Sequence, residues 1–512
     1  MAHRRAALAA VLLVAALVRS WHLDWGLPAA YQPDEVRAAD EVRLLLAHPL
    51  ELRGFAHPPL QRMLAAAGLA AARLAGGPVA PDAATATLAL RIVSACAGTA
   101  GVLAVYLLAG AFVSSPAALA AAALMAVLPL TVACAMDGVP DTLLSTLFAF
   151  GLWAALRASE RPRLGSIAAV GALLSFTIAA KYNGAFLLFA CVAAHVRARR
   201  RGPVPRGAWA AFLAGMLAGA LLGFPWLLRA WPAVWAAVRY EWTHLFVVGH
   251  RWLAVSGRDY AFTYHLRYSI LPATGPGLLG AMGLGLFVLA LRSDGRQWVP
   301  LAALLPYHVV AEWAYLVPPS PERYALPLVG PYLVAAVAAL EAAAGRLPGA
   351  RVRAAFALAG FLGLAAWPAV RLARLLPALV PDTRDAMGAW IAAHVPPGTA
   401  VALEPPLAYY PDLARASLEL TLLSPADGGA IPESGLTLAS SLVYRRYLEH
   451  PDAAPEATAL YRRLAAGEAL HEESRPAGAY LFHNPTLRLL RLEPASRALT
   501  PGRRLTSGRG SR

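Results

Sequence analysis

Five short polar motifs interrupt an otherwise apolar chain, and their residue types suit acid–base and phosphate chemistry. Gln32-Pro33-Asp34-Glu35 sets two adjacent carboxylates where a helical pattern begins. Such a pair caps a helix and favours its dipole, or Asp34 serves as a general base that takes a proton from a hydroxyl. His57-Pro58-Pro59-Leu60 reads as a helix start, since proline suits a first turn, or as a ring turned toward a cavity. Asp141, closing Met136-Asp137-Gly138-Val139-Pro140-Asp141, is a cap or a second carboxylate. Lys181-Tyr182-Asn183-Gly184 offers an ammonium that snorkels or donates to a phosphate. In Pro321-Glu322-Arg323-Tyr324 the guanidinium pairs with Glu322 or grips a phosphate in a bidentate fork. Together these motifs supply two carboxylate sites and two cationic sites. That inventory suits a reaction needing a base for an acceptor and cations for a departing phosphate.

The elements that carry the motifs follow from hydropathy. Of 512 residues, 58% are hydrophobic and 15% charged, against about 25% charged in soluble domains, and mean hydropathy is +0.52. Apolar runs able to cross ~30 Å of hydrocarbon recur, and such runs must be helical because lipid offers the backbone no other partner. Spans are expected at Ala6–Val18, Thr87–Leu108, Ala117–Cys134, Thr142–Leu156, Leu164–Ala180, Ala185–Val196, Ala208–Leu228, Ile270–Leu291, Val299–Val317, Tyr324–Ala344 and Ala354–Leu376, about eleven in all. The first also reads as a cleavable signal peptide.

Net charge of +15 and a pI near 10.2 would suit nucleic acid. The arginines instead cluster in short loops on alternate connections: 4–5, 157–163, 197–206, 292–296 and 346–353. The positive-inside rule puts all of these in the cytoplasm, so no nucleic-acid partner is expected. The N-terminus is then cytoplasmic in a plasma (inner) membrane, and the C-terminal region and all five motifs are extracytoplasmic. Cys96, Cys134 and Cys191 read as small core residues.

Outside the bilayer, Pro33–Leu46 and Pro58–Leu74 have the periodicity of helices lying along the interface. A second outer segment carries Trp231, Trp235, Tyr240, Trp242, Trp252, Tyr260 and Tyr264, as expected at headgroup level. The chain divides into a transmembrane domain (1–380, first outer loop 19–86), a small α/β domain (381–500) and a disordered tail (501–512). In the α/β domain Thr399–Leu403 and Ala479–Phe482 are candidate strands and Arg384–His394 a helix. No transporter-type internal repeat is visible.

Pro33-Asp34-Glu35, His57-Pro58-Pro59-Leu60, Asp141 before a span ending at Arg157, Lys181-Tyr182-Asn183 and Arg323-Tyr324 occur in this order over about the first 340 residues. In this they resemble the integral-membrane glycosyltransferases of the GT-C fold, most closely glycosyltransferase family 39, the protein-O-mannosyltransferase and aminoarabinose-transferase type. Asp382-Thr383-Arg384-Asp385 with Trp390-Ile391 is similar to the start of the C-terminal region in many bacterial members. The resemblance implies an all-α polytopic membrane fold with a small C-terminal α/β domain. It also implies transfer of a hexosyl or pentosyl group from a polyprenyl-phosphate donor, usually with inversion, to a lipid, glycan or protein hydroxyl.

Under that resemblance Asp34 is the acceptor-activating base. Glu35 and Asp141 hold acceptor or sugar, Lys181 and Arg323 meet the leaving phosphate, and His57, Tyr182 and Tyr324 complete the substrate-binding set. No cofactor beyond the lipid-linked sugar is expected. Adjacent Asp34 and Glu35 make a poor octahedral cage, and the first loop has no Asp-x-Asp site, so a divalent metal is not expected either. The C-terminal region departs from that of the protein mannosyltransferases. A flippase of lipid-linked glycans is the rival class. It calls for polar groups at span midplanes and for repeat symmetry, whereas these motifs lie at span ends.

Overall fold

The structure is a computed structural model that describes residues 2–49, 51–76, 80–249, 255–316, 320–423, 435–467 and 469–492. The expected tail at 501–512 and Trp252 lie outside the described residues. Helix α1 (Ala2–Arg19) leads into two short helices, α2 (Pro33–Ala47) and α3 (Leu60–Leu74). Then come α4 (Ala83–Ala109), α5 (Ser115–Val127), α6 (Pro129–Met136), α7 (Asp141–Glu160), α8 (Leu164–Ala180), α9 (Leu187–Arg201) and α10 (Ala208–Gly223). After α11 (Trp231–Thr243) the chain continues through β1 (Val255–Ser256), α12 (Leu271–Ala290), α13 (Trp298–Trp313), β2 (Tyr315–Leu316), α14 (Leu326–Gly345) and α15 (Ala350–Leu375).

Every segment read as a span is helical over most of its length, although Ala208–Leu228 leaves the helix after Gly223 and Val299–Val317 after Trp313, with Val317 outside the described residues, and helix length supports fewer crossings than the eleven expected. Among the described residues five helical stretches are long and apolar enough to cross alone, and the bent α5–α6 pair makes a sixth. Helices α8, α9, α10 and α13 have 17, 15, 16 and 16 residues, short of the ~20 that hydrocarbon thickness asks for. The chain is a mostly helical, multi-span membrane protein.

Close packing in this bundle relies on glycine, because lipid supplies no hydrophobic drive between helices. A Cβ on Gly215 would lie 1.9 Å from the Ala168 carbonyl oxygen, so α8 and α10 touch backbone to backbone. The 53° bend between α5 and α6 has an equally local cause. Pro129 has no N–H to give, so the Met125 carbonyl loses its helical donor. Fully buried Arg19 takes that place, donating to Met125 O and Ala126 O, both at 2.9 Å. Cys134 and Cys191 are buried as expected, whereas Cys96 faces outward from α4.

The arginine loops collect at one end of the bundle. There Arg4 donates to Ser115 Oγ, Arg296 pairs with Glu160 at 3.0 Å and Arg197 reaches Asp294 O. At the other end α2, α3 and α11 lie beside the bundle, and α11 exposes Trp231, Trp235, Tyr240 and Trp242.

The C-terminal region comprises α16 (Thr383–His394), β3 (Ala400–Leu403), β4 (Glu419–Leu422), β5 (Gly435–Ser440), α17 (Ser441–Glu449), α18 (Pro455–Ala466), β6 (Ala469–Glu473) and β7 (Leu487–Leu492). Its mixed sheet runs β4-β3-β5-β7-β6, with β3 parallel to both neighbours and β7 antiparallel to β5 and β6. The expected helix and first strand are present. Ala479–Phe482 is not a strand but a tight turn closed by a Tyr480–His483 bridge, with Leu481 at φ 50°. Its apolar residues are spent on the bundle, since Tyr480 and Leu481 pack against the transmembrane core rather than the sheet.

Candidate active site

Four charged side chains from distant parts of the chain meet at the end of the bundle opposite the arginine loops. Pro33, with φ preset for a first turn, starts α2, and Gln32 Oε1 caps it by accepting the N–H groups of Asp34 and Glu35. Asp141 is the first residue of α7, Lys181 caps α8, and Arg323 sits in the short 3-10 turn before α14.

Arg323 is the hub of the cluster. Its Nη1 lies 2.8 Å from Asp34 Oδ2 and its Nε 3.9 Å from Asp141 Oδ2. Lys181 Nζ donates to Asp141 Oδ1 at 2.7 Å. The Tyr324 ring underlies both cations, 4.6 Å from Lys181 Nζ and 5.8 Å from Arg323 Cζ. Tyr307 Oη donates to the Tyr324 carbonyl at 3.0 Å and accepts from Asn183 Nδ2 at 3.0 Å, which holds the two cation-bearing segments together. Among the described residues Asp141 Oδ2 and Arg323 Nε have no hydrogen-bond partner, which leaves one acceptor and one donor for a ligand. Among the described residues no three His, Cys, Asp or Glu side chains gather as a ligand set.

The electrostatics favour an ionised base in a recess of balanced charge. Burial pushes the Asp34 carboxyl up, but the neighbouring groups, Arg323 first among them, outweigh it and hold the group at about 2. Its side chain stays 40% exposed, open to an incoming substrate. Burial, and next Lys181, push the His57 ring down to about 4, so at neutral pH it is an uncharged imidazole.

Residues 84–228 match the family described as dolichyl-phosphate-mannose-protein mannosyltransferase. ArnT from Cupriavidus metallidurans, solved bound to undecaprenyl phosphate, aligns with a TM-score of 0.51 at 14% identity, covering 94% of this chain and 97% of ArnT. The fold is the GT-C fold. AglB from Archaeoglobus fulgidus, solved with an inhibitory peptide and a dolichol-phosphate, gives a TM-score of 0.52 at 14% identity over 92% of this chain and 73% of AglB. No curated protein matches the sequence. The family likeness read from the short motifs is thus borne out. The matched segment holds Asp141, Lys181 and Tyr182 but neither Asp34 nor Arg323, which the GT-C fold brings to them.

Not every residue singled out in the sequence joins the cluster. Consecutive helical residues point about 100° apart, so while Asp34 faces the recess, Glu35 turns into the core. Arg91 grips both Glu35 oxygens, at 2.8 and 2.6 Å, and Gly138 N–H donates to one of them. Glu35, expected to hold acceptor or sugar, is engaged here by Arg91 rather than open to the recess. Its carboxylate ties α2 to α4 and to the turn that leads into Asp141. Tyr182 lies beside the cluster, donating to Phe55 O at 2.8 Å and so steadying the loop that carries His57.

Sequence reasoning missed four residues. Arg91 was signalled by its position, a lone arginine within an apolar span. Asp137 lies in a quoted motif. Burial, and next Glu35, push its carboxyl well above the usual carboxylate range. His483 had no signal. Its Nε2 lies 3.8 Å from Asp137 Oδ1 and its ring 4.2 Å from that of Trp25, seating the C-terminal region against the turn before Asp141. Glu241 of α11, raised by burial, lies within electrostatic reach of Lys181 and Asp34. The motif Asp382-Thr383-Arg384-Asp385 acts as a clamp beside the site. Arg384 stacks 4.0 Å from the Tyr31 ring and donates to the carbonyls of Tyr31, Ala408 and Phe482, while Tyr31 Oη donates to Asp385 Oδ1 at 2.6 Å.

Proposed function

We propose that this protein transfers a hexosyl or pentosyl group from a polyprenyl-phosphate donor to a hydroxyl of a lipid, glycan or protein acceptor. The reaction takes place on the extracytoplasmic face of the plasma membrane, with the N-terminus cytoplasmic. The observation that carries this reading is the pairing of Asp34 and Asp141 with Arg323 and Lys181 in one recess at the bundle end away from the arginine loops. ArnT and AglB, of the same fold, were each solved with a polyprenyl phosphate, which supports the donor class.

In this mechanism Asp34 takes the acceptor's hydroxyl proton as its oxygen bonds to the anomeric carbon. The bond from that carbon to the phosphate oxygen breaks, and its electron pair leaves with the polyprenyl phosphate. Lys181 and Arg323 meet the charge that develops there. Asp141 keeps both cations aimed. When Arg323 turns to the phosphate it releases Asp34, whose basicity then rises. The test is Asp34→Asn in proteoliposomes supplied with a polyprenyl-phosphate sugar. Transfer should vanish while the protein stays folded, and near-normal transfer overturns the base assignment. Mass spectrometry of envelope glycolipids and glycoproteins with and without the protein identifies sugar and acceptor.

A further inference from the structure

At the arginine-rich end, far from Asp34, a cavity with about 520 Å³ of empty volume opens between the last turns of α7 and α9 and the first turns of α8 and α10. Its walls are apolar, Ala155, Val170, Cys191 and Phe212 among them, and exposed Val192 and Trp209 border it. The cavity is thus continuous with the surface that meets lipid. One lining group contradicts an empty or purely greasy slot. His195 Nε2 is buried with no hydrogen-bond partner among the described residues, its ring 4.6 Å from that of Trp209. Of the other polar lining groups, Ser159 is already engaged, donating to Leu156 O and accepting from Arg197. A buried ring nitrogen without a partner is costly, and a ligand oxygen would relieve it.

The rim of this cavity is strongly cationic. Between residues 157 and 206 there are eight arginines and one acidic residue, Glu160. Glu160 is already shared by Arg157 at 3.4 Å and Arg296 at 3.0 Å. Arg161, Arg163, Arg199 and Arg206 are exposed, and none of them forms an ion pair among the described residues. An apolar slot open to hydrocarbon, rimmed by unpaired guanidiniums at the membrane boundary, matches the two halves of one molecule. A zwitterionic lipid fills the slot but neutralises less of the rim. Free phosphate pairs the rim but leaves the slot empty.

We propose that this cavity is a binding site for one anionic phospholipid. An acyl chain occupies the slot, the phosphate rests on the rim arginines, and His195 Nε2 bonds to a phosphate or glycerol-ester oxygen. The site lies at the opposite end of the bundle from the Asp34 recess, so it does not depend on the sugar-transfer reading. The test is native mass spectrometry of the full-length protein from phosphatidylcholine nanodiscs doped with phosphatidylglycerol. The wild type should retain one phosphatidylglycerol per chain. Arg199→Glu/Arg206→Glu, which alters only exposed positions, should cut retention at least about tenfold, and Ala194→Trp should exclude the chain from the slot. Millimolar inorganic phosphate should not displace the lipid. Equal retention of phosphatidylcholine, displacement by phosphate, or undiminished phosphatidylglycerol on the rim-reversed protein would overturn the proposal.

Discussion

Replacing Arg323 by methionine separates the two tasks assigned to that guanidinium, holding Asp34 ionised and receiving the phosphate. Asp34 has an ordinary value of 3.8; burial would raise it, and Arg323 is the strongest of the influences that bring it down to about 2. Without Arg323 the burial contribution loses its main opponent, and the carboxyl returns to 3.8 or above. The acid limb of kcat/KM reports the free enzyme, so it should move up by about two pH units. The maximal rate should also fall, on the order of a hundred- to a thousandfold, as expected when a group that stabilises developing charge is removed. Arg323→Lys keeps the charge but loses the fork, so it should restore most of the limb position and only part of the rate. The assay is transfer from a labelled polyprenyl-phosphate sugar in proteoliposomes across acid to neutral pH. A fall in rate with an unmoved acid limb would refute the reasoning, because the titrating base would then not be the carboxylate that Arg323 controls.

Glu35→Gln leaves Arg91 buried and half-paired, so it should destabilise the protein by about 3–5 kcal/mol, read as a lowered midpoint in thermal unfolding. Adding Arg91→Met should recover part of the loss, whereas a raised KM at unchanged stability would return Glu35 to substrate binding. Asp137→Asn keeps the size of a buried side chain whose carboxyl burial and Glu35 push upward, so transfer should stay within about threefold, a change worth under ~1 kcal/mol; abolished transfer would make the carboxyl itself part of the reaction. His57 takes its proton near 4 when folded and near 6.5 when unfolded. Between those values the unfolded chain binds more protons, so the contribution of His57 to stability falls as pH drops from 6.5 toward 4. His57→Asn should therefore lessen the loss of thermal stability between pH 7 and pH 5, and an unchanged loss would place the ring in solvent.

The local signals in the sequence were the dependable ones. Helix α2 begins at Pro33 as expected and α16 within a residue of the expected Arg384, because helix starts are settled by neighbours along the chain. Signals that depend on the third dimension were less legible. Ala479–Phe482 is apolar enough for a strand, yet its side chains serve the helical bundle, a docking that no local pattern encodes. Glu35 is the instructive case. A lone Arg91 within an apolar span calls for a buried partner, and Asp34 and Glu35 were both candidates. Helical phase separates them. Glu35, Ala39, Val42 and Leu45 are all buried and fall at the i, i+4, i+7, i+10 spacing of one helix face, while Asp34 lies off that face. The carboxylate on the apolar face is the one that must be neutralised inside the protein, so it belongs to Arg91. The carboxylate off that face stays open to the recess and remains available to exchange Arg323 for a proton.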